Sequence, residues 1–203
     1  MAKARVASRH FILTGLPGVG KTTLMVKLQK ELANKGLHCS GFVTEEVRVS
    51  RRRIGFDVVT MNGQRGHLAR ISDPPSNVPS ARQREYKVGQ YTVNILSFEQ
   101  TALPSIQLQI KDSVDKERKQ LFFVDEIGKM ELFSQNFVQA VRKLTSQPNV
   151  IVIATIPVPK GKPIPFVEEL RNGANSVVFE VTLQNRDTIL ENVMAAIQAS
   201  TES

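Results

Sequence analysis

The chain has 203 residues and a net charge of +8, with 41% hydrophobic and 23% charged residues, a composition ordinary for a globular protein, long enough for one good core and short for two. No apolar run approaches the roughly 20 residues of a membrane span, and the single cysteine, Cys39, allows no internal disulfide and suits a reducing compartment, so a soluble, cytoplasmic protein is expected. The positive charge is spread along the chain apart from Arg48 and Arg51 to Arg53, and two tyrosines without a tryptophan make a thin stacking surface, so specific nucleic-acid binding is not expected.

In chain order, residues 1–9 (MAKARVASR) are basic and acid-free. They are too short for an organellar presequence and read as a tail. One domain is expected over residues 10–203. His10 to Thr14 (HFILT) is an apolar run of buried-strand type, and Leu24, Leu28 and Leu32 repeat at helical spacing before Gly36, which can end a helix. Between them GLPGVGKTT, residues Gly15, Leu16, Pro17, Gly18, Val19, Gly20, Lys21, Thr22 and Thr23, fits the phosphate-loop pattern G-x-x-x-x-G-K-[ST]. Gly15, Gly18 and Gly20 let the backbone curl so that its amides point at phosphate oxygens. Lys21 brings a positive charge to the β- and γ-phosphates, Thr22 a hydroxyl for Mg²⁺, and the helix start adds the positive end of its dipole. The partner implied is a nucleoside triphosphate; the loop binds the tail and does not read the base.

Leu37 to Thr44 is expected to be a second strand ending in Glu45 and Glu46, carboxylates placed either near Mg²⁺ or in solvent. From about residue 47 to 71 the pattern alternates. Ile54, Phe56 and Val58 share a face, Asn62-Gly63 is a hairpin turn, and Leu68 to Ile71 is the return strand. This inserted β-hairpin is well placed to cover a ligand, while Arg51 to Arg53 read as an exposed turn or as phosphate contacts. Residues 73–84, rich in Pro and Ser, read as a mobile loop. Tyr91 to Ile95 is a short strand and Ser97 to Lys116 a helix, with Pro104 placed in a first turn.

Leu121 to Glu126 (LFFVDE) has the pattern of a buried parallel strand that ends in two acids, which is a Walker B reading. Asp125 is the expected Mg²⁺ ligand, through water. Glu126 is the candidate to orient or deprotonate the attacking water. Lys129, three residues on, is the candidate cation for charge developing at the γ-phosphate; the competing assignment is a surface lysine paired with Glu131 or Glu46, and Arg48 and Arg171 are alternatives for the role. Phe133, Phe137, Val141 and Leu144 form a helical stripe, Asn149 to Thr155 a buried strand, Phe166 to Arg171 a short helix, Ser176 to Val181 a strand, and Ile189, Leu190, Val193 and Ile197 the core face of a last helix. Pro157 to Pro163 (PVPKGKP) is a loop that connects or covers. His10, His38 and His67 lack metal-ligand spacing, so no zinc site is expected.

GLPGVGKTT (Gly15 to Thr23), GFVTEEVR (Gly41 to Arg48), RRIGFDVVT (Arg52 to Thr60), SFEQTALP (Ser97 to Pro104), DEIGKMELFS (Asp125 to Ser134), ATIPVPKGKP (Ala154 to Pro163) and NRD (Asn185 to Asp187) together resemble the nucleoside-triphosphatase family known from hyperthermophiles. The resemblance implies an α/β P-loop NTPase fold, a RecA-like three-layer domain with a mainly parallel sheet. It implies Mg²⁺-dependent hydrolysis of nucleoside 5′-triphosphates to diphosphate and phosphate with weak base selectivity; a monomer is expected. It places phosphate binding on Gly15 to Thr23 and a second nucleotide-contacting segment on Leu121, Phe122, Phe123, Val124, Asp125, Glu126, Ile127 and Gly128. A nucleotide-kinase-like phosphotransferase is the nearest rival; Glu126, a carboxylate suited to activating water, opposes it. A switch GTPase is disfavoured because Asn185-Arg186-Asp187 lacks the lysine of N-K-x-D, and an AAA-type machine because residues 182–203 are too few for a helical lid. A nucleotide-gated binding module for RNA or protein, with hydrolysis only as a slow timer, is the non-enzymatic alternative.

Overall fold

The computed structural model describes residues 9–71, 85–108 and 119–201. The loop expected at residues 73–84, all but the last residue of the basic tail, and the end of the helix expected over Ser97 to Lys116 lie outside them. The elements run β1 (His10–Gly15), α1 (Lys21–Asn34), β2 (Cys39–Val49), β3 (Arg52–Thr60), β4 (Arg65–Ile71), β5 (Tyr86–Val88), β6 (Tyr91–Val93), α2 (Ile95–Ser105), β7 (Gln120–Val124), α3 (Gln135–Thr145), β8 (Val150–Pro157), α4 (Pro165–Arg171), β9 (Ser176–Glu180) and α5 (Ile189–Thr201). They build one nine-stranded sheet in the order β5-β6-β4-β3-β2-β7-β8-β1-β9.

The half from β2 to β9 is parallel. A parallel strand is covered on both faces, so successive residues must feed opposite apolar layers. In β7, Leu121 and Phe123 pack with α1 and α5, whereas Phe122 and Val124 pack with α2, α3 and α4. Ile151 and Ile153 against Val152 and Ala154 repeat the division in β8. The result is the three-layer α/β arrangement. Ser134 caps α3 by accepting the Phe137 amide at 2.9 Å, and Asn94 caps α2 through the Ser97 amide at 2.9 Å, each such cap stabilising by about 1 kcal/mol. Asn94 therefore starts α2 two residues earlier than expected. Pro104 lies in its last turn and not its first, since the helix ends at Ser105.

Beyond β2 the sheet turns antiparallel. Strand β2 does not stop at Thr44 but continues to Val49, because once β7 ends opposite Phe42 the strand β3 supplies its hydrogen bonds. Glu45 and Glu46 therefore lie within the strand. Ser50 and Arg51, both at positive φ (47° and 65°), make the two-residue turn into β3, the twist that tight hairpins require. The hairpin at Asn62-Gly63 is present as β3 and β4, and it forms the centre of a larger extension that β6 and β5 continue. Among the described residues no helix is long and apolar enough to cross a membrane.

Candidate functional site

The loop from Gly15 to Gly20 leaves the carboxyl end of β1 and passes directly into α1. A Cβ at Gly15 would lie 2.3 Å from the Val181 carbonyl oxygen, so only glycine lets the loop start this close to the strand beside it. Gly20 at the helix start has no side chain to cap α1, which leaves the first-turn amides free for an anion. The Lys21 ammonium folds over the same loop and donates to the carbonyls of Gly15 (2.9 Å) and Leu16 (3.2 Å). Val19 turns inward and is buried in the core.

Asp125 directly follows β7 and is fully buried. A buried carboxylate is tolerable only when donors surround it. Thr22 Oγ1 donates to Oδ2 at 2.7 Å, Thr44 donates to the same oxygen through its amide and its hydroxyl (3.1 Å each), and Thr155 Oγ1 donates to Oδ1 at 2.7 Å. Four elements are thereby joined at one carboxylate: α1, β2, β7 and β8. Thr155 also accepts the Glu126 amide at 2.7 Å, which ties the two acids to one hydroxyl. Glu126 itself has φ of 63°. That left-handed conformation is uncommon outside glycine, and such strain concentrates at functional sites. Burial, and then the neighbouring Asp125 charge, push its carboxyl above the ordinary range, with Lys21 opposing them.

These groups open onto a cavity of about 1230 Å³. Its lining brings together Gly15, Leu16, Pro17, Gly18, Gly20, Lys21, Thr22 and Thr23 with Glu126, Gly128 and Lys129, under the Pro157–Pro163 loop. Leu121, Phe122, Phe123 and Val124 are not part of it: they are strand core, divided between the two apolar layers, and Asp125 and Ile127 lie behind the lining. Of the Leu121 to Gly128 segment, Glu126 and Gly128 line the cavity. Lys129 is exposed on the rim. Neither carboxylate considered as its partner pairs with it, since Glu46 engages Arg48 and Arg53 (2.7 Å to the latter) and Glu131 turns inward. Glu45 is likewise held by Arg65 at 2.5 Å. Arg53 thus leaves the turn expected of it and stands on the cavity wall, its guanidinium 5.1 Å from the Phe56 ring centre. Arg48 lines the cavity too, whereas Arg171 donates to the Pro157 carbonyl at 3.0 Å and stays behind that loop. Burial pushes the Cys39 thiol up to about 11, the mark of an unreactive cysteine.

Sequence reasoning missed Thr44, Thr155 and Glu131. The signal available for the two threonines was a polar residue closing an apolar strand, GFVT and VIVIAT; for Glu131 there was only its place in DEIGKME.

A protein-family model described as NTPase matches residues 10–194. The human protein named cancer-related nucleoside-triphosphatase is 50% identical over 194 residues, covering 95% of this chain and 98% of that protein. The solution structure of a human cancer-related nucleoside triphosphatase superposes with a TM-score of 0.80 at 48% identity, over 95% of this chain and 99% of that one. The crystal structure of THEP1 from the hyperthermophile Aquifex aeolicus superposes with a TM-score of 0.72 at 36% identity, over 93% and 99%.

Proposed function

The chain belongs to the NTPase family, and on that premise we propose that it hydrolyses nucleoside 5′-triphosphates, ATP and GTP among them, to the diphosphate and inorganic phosphate in a Mg²⁺-dependent reaction. The observation that carries this reading is the convergence of Lys21, Thr22 and Glu126 on one cavity, with Asp125 bonded to Thr22 directly behind. In this reading the loop amides and Lys21 hold the β- and γ-phosphates, and Lys21 exchanges its bonds to Gly15 and Leu16 for phosphate oxygens. Glu126 orients a water against the γ-phosphorus. As the water oxygen bonds to phosphorus, its proton passes to the Glu126 carboxylate, the bond from phosphorus to the bridging oxygen breaks, and the diphosphate departs with the electron pair. A carboxylate held above its ordinary range is the stronger base for that step. Lys129 then offsets the charge that grows on the phosphoryl oxygens.

The residues present suit Mg²⁺. Among the described residues no three His, Cys, Asp or Glu side chains cluster into an all-protein cage, and the groups at the site are the oxygens of Thr22 and Asp125, hard donors of the kind Mg²⁺ takes alongside water and substrate phosphates. When bound, the ion supplies charge neutralisation to the β- and γ-phosphates. Base selectivity is expected to be weak because the loop grips the tail alone and the sequence carries no N-K-x-D reader.

The test is phosphate release from a panel of ribo- and deoxyribonucleoside triphosphates, with Mg²⁺ and with EDTA, and with nucleosides or monophosphates added as acceptors. The expected result is metal-dependent release with kcat/KM values within about tenfold across the bases. Phosphate transferred to an added acceptor in place of water would favour a phosphotransferase.

A further inference from the structure

Glu131 begins the short turn Glu131–Phe133 and is 1% exposed, yet it lines the same cavity as Glu126. Among the described residues no cation pairs with it. Its Oε2 instead accepts the Gly128 amide at 3.1 Å. That bond completes a series. The Asp125 amide goes to the Phe42 carbonyl (3.2 Å), the Glu126 amide to Thr155 Oγ1 (2.7 Å), the Ile127 amide to the Thr155 carbonyl (2.9 Å) and the Gly128 amide to Glu131. Each amide of the segment that carries Glu126 is held, and a left-handed backbone at a residue with a side chain persists only when its surroundings over-determine it. The first three partners, two carbonyls and the Thr155 hydroxyl, belong to residues of the sheet strands β2 and β8. The last is a side chain from outside the sheet.

Gly128 shows how closely the two acids approach. A Cβ placed there would lie 3.3 Å from Glu131 Oε2 and 3.4 Å from Glu126 Oε1, so the two carboxyl groups flank one glycine, the Glu131 oxygen the more tightly.

We propose that Glu131 is a positioning residue for hydrolysis: by holding the Gly128 amide it fixes the far side of the Glu126 backbone and keeps the Glu126 carboxylate aimed at the attacking water. This rests on the reading of Glu126 given above. Glu131 acts through the peptide and touches no reacting atom. Burial, and next the charge of Glu126, push the Glu131 carboxyl well above the usual carboxylate range, and the role asks of it only an acceptor oxygen for the Gly128 amide. A glutamine has the same shape and the same acceptor.

The experiment is steady-state kinetics on Glu131→Ala and Glu131→Gln, with the affinity for a non-hydrolysable triphosphate analogue measured by calorimetry. Glu131→Ala is expected to lower kcat by about tenfold or more while KM and analogue affinity stay within about twofold, the pattern of a loss confined to the transition state. Glu131→Gln is expected to restore kcat to within about threefold of wild type. A purely structural role would lower the folded fraction and leave the ratio of kcat to KM in the folded protein unchanged. Full kcat in Glu131→Ala overturns the inference, and so does a Glu131→Gln as impaired as the alanine variant, because charge and not acceptor geometry would then matter. If Glu131→Ala does not fold, Glu131→Asp withdraws the same acceptor by one methylene; it should lower kcat with affinity kept, and an unchanged kcat overturns the inference equally. Glu126→Gln separates the two levels: full turnover there sinks the reading of Glu126 itself, whereas an inactive Glu126→Gln beside a normal Glu131→Ala sinks only the positioning role.

Discussion

The two halves of the sheet use side chains in opposite ways. In the parallel half, β7 and β8 are apolar along nearly their whole length, and polar chemistry appears where they end: Asp125 and Glu126 after β7, Thr155 near the end of β8, with the loop leading to Lys21 and Thr22 after β1. In the antiparallel half, charges sit within the strands and pair across them, as Glu46 does with Arg53, Glu45 with Arg65, and Asp57 with Arg65 (3.0 Å) and Arg70 (2.5 Å). The first half concentrates a few functional groups at one edge of a rigid apolar slab. The second spends its charges on one another and forms a wall of the cavity. A function is therefore expected to depend on few residues in one half, and stability to be distributed differently in the two.

The largest contrast is in packing. Phe123, fully buried between the layers, should cost about 3 to 5 kcal/mol on substitution by alanine, against about 1 kcal/mol or less for Arg48→Ala, whose side chain is 54% exposed in its ion pair. Urea denaturation of both variants checks this, and equal losses would break the distinction between the halves.

Next in size is a kinetic effect. Lys129→Ala should lower kcat by about tenfold, near 1.4 kcal/mol, with nucleotide affinity little changed, while Arg48→Ala, already engaged by Glu46, should leave kcat close to wild type. Steady-state kinetics decides between them, and an unchanged kcat for Lys129→Ala with a large loss for Arg48→Ala would transfer the role to the antiparallel wall.

The smallest effects are in the pH dependence of stability, where the two halves should differ in sign. Burial pulls the Asp57 carboxyl up, but hydrogen bonds from Arg70 and then Arg65 outweigh it and hold the group below its ordinary range. Its contribution is present above the unfolded value of about 3.9 and is lost as pH falls through the lower folded value. Glu131 is displaced the other way, by burial first and the Glu126 charge second. Its contribution is complete below an unfolded value of about 4.3 and is lost as pH rises through the higher folded value. Urea midpoints measured against pH should therefore flatten below about pH 3.9 in Asp57→Asn and above about pH 4.3 in Glu131→Gln; a flattening on the same side in both would contradict the assignment.

What was legible in the sequence follows the range of the interactions involved. Strand, loop and helix from His10 to Asn34 are local, so GLPGVGKTT and the leucine repeat reveal them together. The apolar run LFFV ending in two acids reveals β7 for the same reason, although it does not disclose that Leu121 to Val124 are enclosed on both sides and kept from the cavity. The Asp125 hub was not legible, because Thr44 and Thr155 reach it across 81 and 30 residues and only the pairing of β2, β7 and β8 brings them together. Continuation of β2 past Thr44 was hidden for a similar reason: Glu45 and Glu46 read as the end of a strand until β3 is seen to accept them as partners. Glu131 was hidden by charge itself, since an acid in a polar stretch reads as solvated and here it is buried.

The central claim, that the parallel edge holds a triphosphate and Glu126 supplies the step that cleaves it, is tested most directly by Glu126→Gln under Mg²⁺, with calorimetry for triphosphate binding and a phosphate assay for turnover on the same preparation. The account predicts binding close to wild type and a kcat lowered by about 10² to 10⁴. Turnover at the wild-type rate, or loss of binding together with turnover, would contradict it.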